Sequence, residues 1–167
     1  MNTTIKRIAV LTSGGDAPGM NAAVRAVVRS SAFYGLECFA VYQGYQGLIE
    51  GNLKAFTARS VNNIINKGGT ILRSARSLEF RTPEGRQKAH KNLLKNKINA
   101  LVVIGGDGSF TGAMIFQQEF NFPVIGIPGT IDNDIFGSPR CTLKLVLRST
   151  QIGSCGTYKL GGFVSHR

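Results

Sequence analysis

The chain has 167 residues, 43% of them hydrophobic and 17% charged, without tryptophan. That is enough for one domain with a buried core, and the balance excludes a disordered chain. No apolar run reaches bilayer length, the apolar N-terminal segment lacks an A-x-A-like cleavage site, and Cys38, Cys141 and Cys155 have neither metal nor disulfide-framework spacing. A cytoplasmic protein without membrane span or signal peptide is expected.

The net charge is +11, unevenly spread. Residues 1–137 hold 15 Lys and Arg and all 9 acids, whereas residues 138–167 hold 5 basic residues and no acid. A basic balance raises nucleic acid or an anionic ligand as partner.

In chain order, RIAVLT (Arg7 to Thr12) is a short apolar run ending in SGGDAPG, a buried strand and a glycine turn. From Met20 a helical period places Val24, Val27, Val28 and Ser31 on one face and Arg25 and Arg29 on another. Glu37 to Gln43 is expected as a second strand, ending at Gly44. Ser60 is an N-cap candidate before a helical VNNIINK, with Gly68-Gly69 as its stop. Thr82-Pro83-Glu84 opens the next helix with a capping hydroxyl, Pro at the first position and an acid. Ala89, Leu93 and Leu94 are expected inward, and Lys88, Lys91 and Lys95 on a solvated face. No aromatic residues interleave with those lysines to stack bases, which speaks against nucleic acid. INALVVI (Ile98 to Ile104) is the clearest strand. GGDGS turns it into a helix through Phe110 and Met114, and Pro123 to Ile127 forms a last strand before PGTIDND. Strands alternating with helices predict an α/β fold, a parallel sheet with helices on both faces.

Three glycine-rich turns, SGGDAPG, GGDGS and PGTIDND, each follow a strand. In a parallel sheet such turns share one edge, where ligands bind. They carry Asp16, Asp107, Asp132 and Asp134, four of the nine acids. Glycine lets backbone N–H groups approach phosphate oxygens, and the helices after the first two turns aim their N-termini at the same edge. Carboxylates beside a phosphate cradle imply an intervening divalent cation, Mg²⁺, with Asp107 its first candidate ligand. Arg73 and Arg76 are placed to reach phosphates from a neighbouring loop. GGDAPGMN is no P-loop, since no G-K-[ST] closes it, and no G-x-G-x-x-G dinucleotide fingerprint is present. His90 and His166 are read as surface residues, with no Ser–His–Asp pattern around them.

LTSGGDAPGMNAAVR, GGTILRSAR, VVIGGDGS and PGTIDNDI, in this order, resemble the ATP-dependent 6-phosphofructokinases over Lys6 to about Gly137. The resemblance implies a phosphofructokinase-like ATP-binding domain over residues 1–137. It implies transfer of the ATP γ-phosphoryl to the 1-hydroxyl of fructose 6-phosphate, with Mg²⁺. By position, Gly15, Tyr45, Arg76, Ser77, Gly106, Asp107, Gly108 and Ser109 would meet the nucleotide, Asp107 as Mg²⁺ ligand. Thr130, Ile131 and Asp132 would form the sugar-phosphate loop, with Asp132 as general base and Asp134 holding the metal or orienting Asp132. Arg25 and Arg29 match the arginines of an effector site for ADP or phosphoenolpyruvate, with two exposed helix arginines as the plain alternative. The family assembles as homotetramers. Pyrophosphate-using relatives carry Asp where this chain has Gly108, so ATP is the expected donor.

After Gly137 the family pattern stops, and SPRCTLKLVLRSTQIGSCGTYKLGGFVSHR is expected to be an irregular, divergent tail. The domain would then be truncated, the family chain being roughly twice as long. The acceptor half, with its 6-phosphate ligands, would be missing, and little kinase activity is expected from the 167 residues alone. The alternatives are a non-catalytic nucleotide-binding fragment, another Gly-Gly-Asp-Gly kinase of the NAD or lipid kinase type, and a nucleic-acid binder driven by the basic tail.

Overall fold

The computed structural model describes residues 5–130. The expected boundary at Gly137 and the 138–167 tail lie outside these residues.

Among the described residues five strands form one sheet in the order β3-β2-β1-β4-β5. They are β1 (Arg7–Thr12), β2 (Glu37–Val41), β3 (Leu53–Phe56), β4 (Ala100–Gly105) and β5 (Val124–Pro128). β1 pairs in parallel with both β2 and β4, and β4 in parallel with β5. The parallel expectation fails at one edge, where β3 runs antiparallel to β2. A seven-residue helix, α2 (Gly44–Glu50), reverses the chain and makes this return possible. Neither element is visible as periodicity, because four- and seven-residue segments hold barely one repeat. The second strand therefore ends at Val41, earlier than expected, and Gln43 turns the chain at φ 61°.

Alternation along the strands divides the core into two layers. Ile8 and Val10 of β1, Cys38 and Ala40 of β2, and Val102 and Ile104 of β4 face α1 (Met20–Phe33). Ala9 and Leu11, Val41, Leu101 and Val103 face the opposite side, with α2, α3 (Pro83–Lys95) and α4 (Asp107–Phe120). Helices thus cover both faces. Burial pushes the Cys38 thiol up to about 11, so it behaves as a small hydrophobe.

α1 ends in a Schellman motif, with Leu36 N–H bonding to Ser31 O at 2.8 Å and Gly35 at φ 70°. α3 begins as expected, Thr82 Oγ1 accepting from Gly85 N–H at 3.1 Å. It ends in the same motif without glycine, Lys97 taking φ 57° and Ile98 N–H reaching Leu93 O at 3.0 Å. Leu94 is 55% exposed, contrary to the inward expectation, since the buried face of α3 runs through Arg86, Ala89 and Leu93. His90, expected at the surface, is half-buried. Its ring stacks on Phe120 at 4.4 Å and meets Phe116 and Phe122 edge-on, and burial holds its pKa below the ordinary value. The helix expected after Ser60 is a single 3-10 turn, Ala58–Val61, capped by Thr57, with Ser60 as Thr57's partner at the third position. Asn63 at φ 56° stops any continuation, asparagine tolerating the left-handed region.

Phe116 is fully buried among Phe80, His90, Phe120 and Phe122. Phe116→Ala is expected to lower unfolding free energy by about 3–5 kcal/mol, read by urea denaturation.

Candidate functional site

β1 leads to β2 on one side of the sheet, while β4 lies on the other side of β1. Helices α1 and α4 leave these neighbouring strands toward opposite faces, opening a crevice between β1 and β4. Two backbone bonds join the turns beyond the strand ends. Ser13 N–H donates to Ile104 O at 2.9 Å, and Gly129 N–H to Gly105 O at 2.9 Å. Gly105 has no room for a side chain, since a Cβ there would lie 2.5 Å from Ser13 O and 2.8 Å from Ser109 Oγ. A Cβ on Gly106 would stand 3.5 Å from the side chain of Thr130. All three glycine turns are therefore in contact.

They line one cleft of about 740 Å³. Gly14 and Gly15 come from the first turn, Gly106, Asp107, Gly108 and Ser109 from the second, and Gly129 and Thr130 from the third. Arg76 and Ser77 enter from the irregular segment between β3 and α3, and Tyr45 from α2. The first turn of α4, with Asp107 in it and no side-chain cap, faces the cleft and favours anions. Space is open at Gly15 and Gly108, where a Cβ would meet nothing within 4 Å.

Several expected residues lie elsewhere. Asp16 is not part of the cleft lining; its carboxylate packs over Gly69, where a Cβ would approach Oδ2 to 2.2 Å. The first turn of α1 does not line it, whereas that of α4 does. Arg73 is exposed and outside the lining, although Arg76 belongs to it. Arg25, half-buried, and Arg29, exposed, sit on α1 away from this cleft. Ile131, Asp132 and Asp134 lie outside the described residues.

Phe80, Arg81 and Arg86 join the lining without having been expected. Phe80 stacks on Tyr45 at 3.9 Å between ring centroids. The Tyr45 hydroxyl donates to Ser109 O at 2.6 Å, and burial holds its pKa well above the ordinary tyrosine range. Tyr45 thus braces the first turn of α4 from below. Arg86 is 6% exposed; its Nε donates to Glu119 Oε2 at 2.6 Å, and its Nη1 to the carbonyls of Phe80 and Arg81. The signal for Arg86 is its place in the apolar stripe of α3, in register with Ala89 and Leu93. With Arg86 paired to Glu119, Arg76 and Arg81 carry no ion pair among the described residues, so two free cations face one carboxylate, Asp107.

That donor set fits a magnesium-bound polyphosphate. Mg²⁺ keeps most ligands as water and phosphate oxygen and needs only one or two carboxylates. Asp107 supplies one in the cleft, and among the described residues no cluster of three potential ligands occurs.

The phosphofructokinase family model matches residues 7–142. The chain belongs to the phosphofructokinase family. It is 59% identical over 135 residues to an ATP-dependent 6-phosphofructokinase 2 of Bacteroides thetaiotaomicron, covering 81% of this chain and 41% of that protein. To an ATP-dependent 6-phosphofructokinase of Cytophaga hutchinsonii it is 57% identical over 134 residues, covering 80% and 41%. The phosphofructokinase structure from Saccharomyces cerevisiae superposes with a TM-score of 0.77 at 46% identity, over 79% of this chain and 21% of that one. A pyrophosphate-dependent phosphofructokinase from Marinobacter aquaeolei shares the fold, with a TM-score of 0.68 at 20% identity over 80% of this chain and 36% of that one. The chain thus spans about two fifths of the length of the Bacteroides and Cytophaga relatives, 41% of each. Among the described residues no helix is long and apolar enough to cross a membrane.

Glu119 is held below the ordinary glutamate value of 4.5, first by the Arg86 hydrogen bond and then by its charge. A depressed carboxylate stabilises the fold above its unfolded pKa and loses that contribution as pH falls through the folded one. Glu119→Gln is expected to cost about 1 kcal/mol at pH 7, the carboxylate being partly exposed. The difference from the parent chain should shrink toward zero as pH falls below 4.5, by urea unfolding at each pH.

Proposed function

We propose that the cleft binds Mg·ATP, and that the protein this chain represents transfers the γ-phosphoryl group to fructose 6-phosphate. The observation that carries the reading is the convergence of three glycine turns, Arg76 and Asp107 on one cleft of about 740 Å³. Family membership and the names of the relatives support the donor and the acceptor.

The phosphates would lie over the first turn of α4, against backbone N–H groups at Gly15, Gly106 and Gly108. Arg76 neutralises charge that builds on the transferring group. The Ser77 hydroxyl proton is committed to Gln46 Oε1 at 2.8 Å, which leaves the Ser77 backbone N–H for phosphate. When bound, Mg²⁺ supplies charge neutralisation of the phosphates, held by Asp107. In the transfer, the 1-hydroxyl oxygen bonds to the γ-phosphorus, the bond to the β–γ bridging oxygen breaks, and the hydroxyl proton goes to Asp132. Asp134 orients that base or the metal, and Thr130 and Ile131 shape the sugar-phosphate loop. Positioning and charge neutralisation dominate such chemistry. Arg25 and Arg29, apart from the cleft, belong in this reading to an effector site for ADP or phosphoenolpyruvate in a homotetramer.

A second reading, ATP binding without transfer by these 167 residues alone, is favoured by the two-fifths coverage of the relatives. A coupled assay with fructose 6-phosphate separates the two.

Titration calorimetry on the 167-residue chain should show saturable Mg·ATP binding. Arg76→Ala is expected to weaken it about tenfold, one charge-assisted contact being lost. No saturation in the parent chain would end the reading. Gly108→Asp projects a carboxylate into open cleft space and should weaken Mg·ATP by at least about tenfold through repulsion of phosphate. Undiminished affinity would remove Gly108 as a determinant of the donor.

A further inference from the structure

We infer that Thr12, Thr70 and Asn21 form a polar clamp that positions Arg76 and Ser77 for the nucleotide phosphates; this rests on the reading above. None of the three lines the cleft. They fix the Lys67–Arg73 segment, which leads into the Arg76-Ser77 pair.

Thr12 Oγ1 donates to Arg73 O at 3.0 Å, which uses its only hydrogen. The 3.0 Å contact between Thr12 Oγ1 and Thr70 Oγ1 must then take its proton from Thr70. Thr70 Oγ1 in turn accepts from Leu72 N–H at 3.2 Å. Asn21, 2% exposed, donates from Nδ2 to Lys67 O at 3.0 Å and accepts at Oδ1 from Ile71 N–H at 2.8 Å. The segment receives a further bond from Gln43 N–H to Leu72 O at 2.8 Å. An irregular, glycine-containing stretch is thereby held at five backbone groups, from Lys67 O to Arg73 O.

What the clamp holds is a strained turn. Arg73 sits at φ 59°, in the left-handed region that a long side chain adopts at a cost. Its side chain is exposed and does not line the cleft, so no side-chain contact there calls for this conformation. The turn redirects the chain three residues before Arg76, and the Thr12 hydroxyl bonds to the carbonyl of the strained residue itself. Thr12 is the last residue of β1, the strand whose following turn delivers Gly14 and Gly15. One hydroxyl thus sets the arginine segment in register with the first glycine turn. A misplacement of about 1 Å is enough to lose a directed phosphate contact.

Thr12→Val keeps the shape and removes the hydroxyl. With the 167-residue chain and Mg·ATP as probe, Thr12→Val should raise Kd roughly fivefold, while Thr12→Ser restores the parent value. The decisive readout is a double-mutant cycle. Thr12→Val in the Arg76→Ala background should add less loss than it does in the parent chain, because one of the two contacts it positions is already gone. A structural role alone would give additive losses. Thr70→Val, at a half-buried site, gives a second route to the same cycle should Thr12→Val fold poorly. Additive losses, or a tenfold loss in Arg76→Ala with unchanged affinity in Thr12→Val, would overturn the clamp and leave the nucleotide site standing. Unchanged affinity in Arg76→Ala would remove the phosphate site and the clamp together.

Discussion

The parallel pairing of β1 with β4, from Ile8↔Ala100 to Thr12↔Ile104, is the constraint on which the rest of the molecule depends. The two strands are remote in sequence, and their outgoing helices cover opposite faces of the sheet. Right-handed crossovers leave this as the place where the chain parts, so backbone groups beyond both strands are exposed to a common space. The residues that seal the juncture are small because two backbones meet there. Gly105 touches Ser13 on one side and Ser109 on the other, and no larger residue fits.

Charge in the cleft follows from which partners are already satisfied. Arg86 is spent on Glu119 and on two carbonyls, and it ties α3, α4 and the Phe80–Arg81 turn into one unit. Arg76 and Arg81 are left facing the space above α4 with Asp107. A polyanion that brings its own cation satisfies both signs at once. The rigid floor beneath it is Tyr45 on Phe80, its phenol held protonated by burial and hydrogen-bonded to Ser109 O.

Long, fully buried strands were the legible part of the sequence. β1 and β4 differ from their apolar runs by at most two residues, because a strand buried on both faces shows as continuous hydrophobicity. The Thr82-Pro83 start of α3 was equally plain, since each residue there has one local task. Short elements were not legible. α2 and β3 draw their stability from Leu48, Ile49 and Phe56 entering the core, not from local preference. The glycine turns pointed to a shared edge, but which side chains turn toward it depends on packing. Asp16 is drawn over Gly69, while Phe80 and Arg81 reach the cleft from a segment with no period of its own. Arg86 illustrates the limit best: a charged residue inside an apolar stripe announces a buried pair, and Glu119, 33 positions on, is found only in three dimensions.

The stacked Tyr45–Phe80 pair also has an optical consequence. The chain contains no tryptophan and four tyrosines, so no indole signal masks the phenols. Among the described residues, Tyr45 is the tyrosine immobilised beside the cleft, in an asymmetric setting, by a stacking partner and a hydrogen bond. Near-ultraviolet circular dichroism of the unlabelled chain therefore carries a chromophore that senses the state of the cleft floor directly.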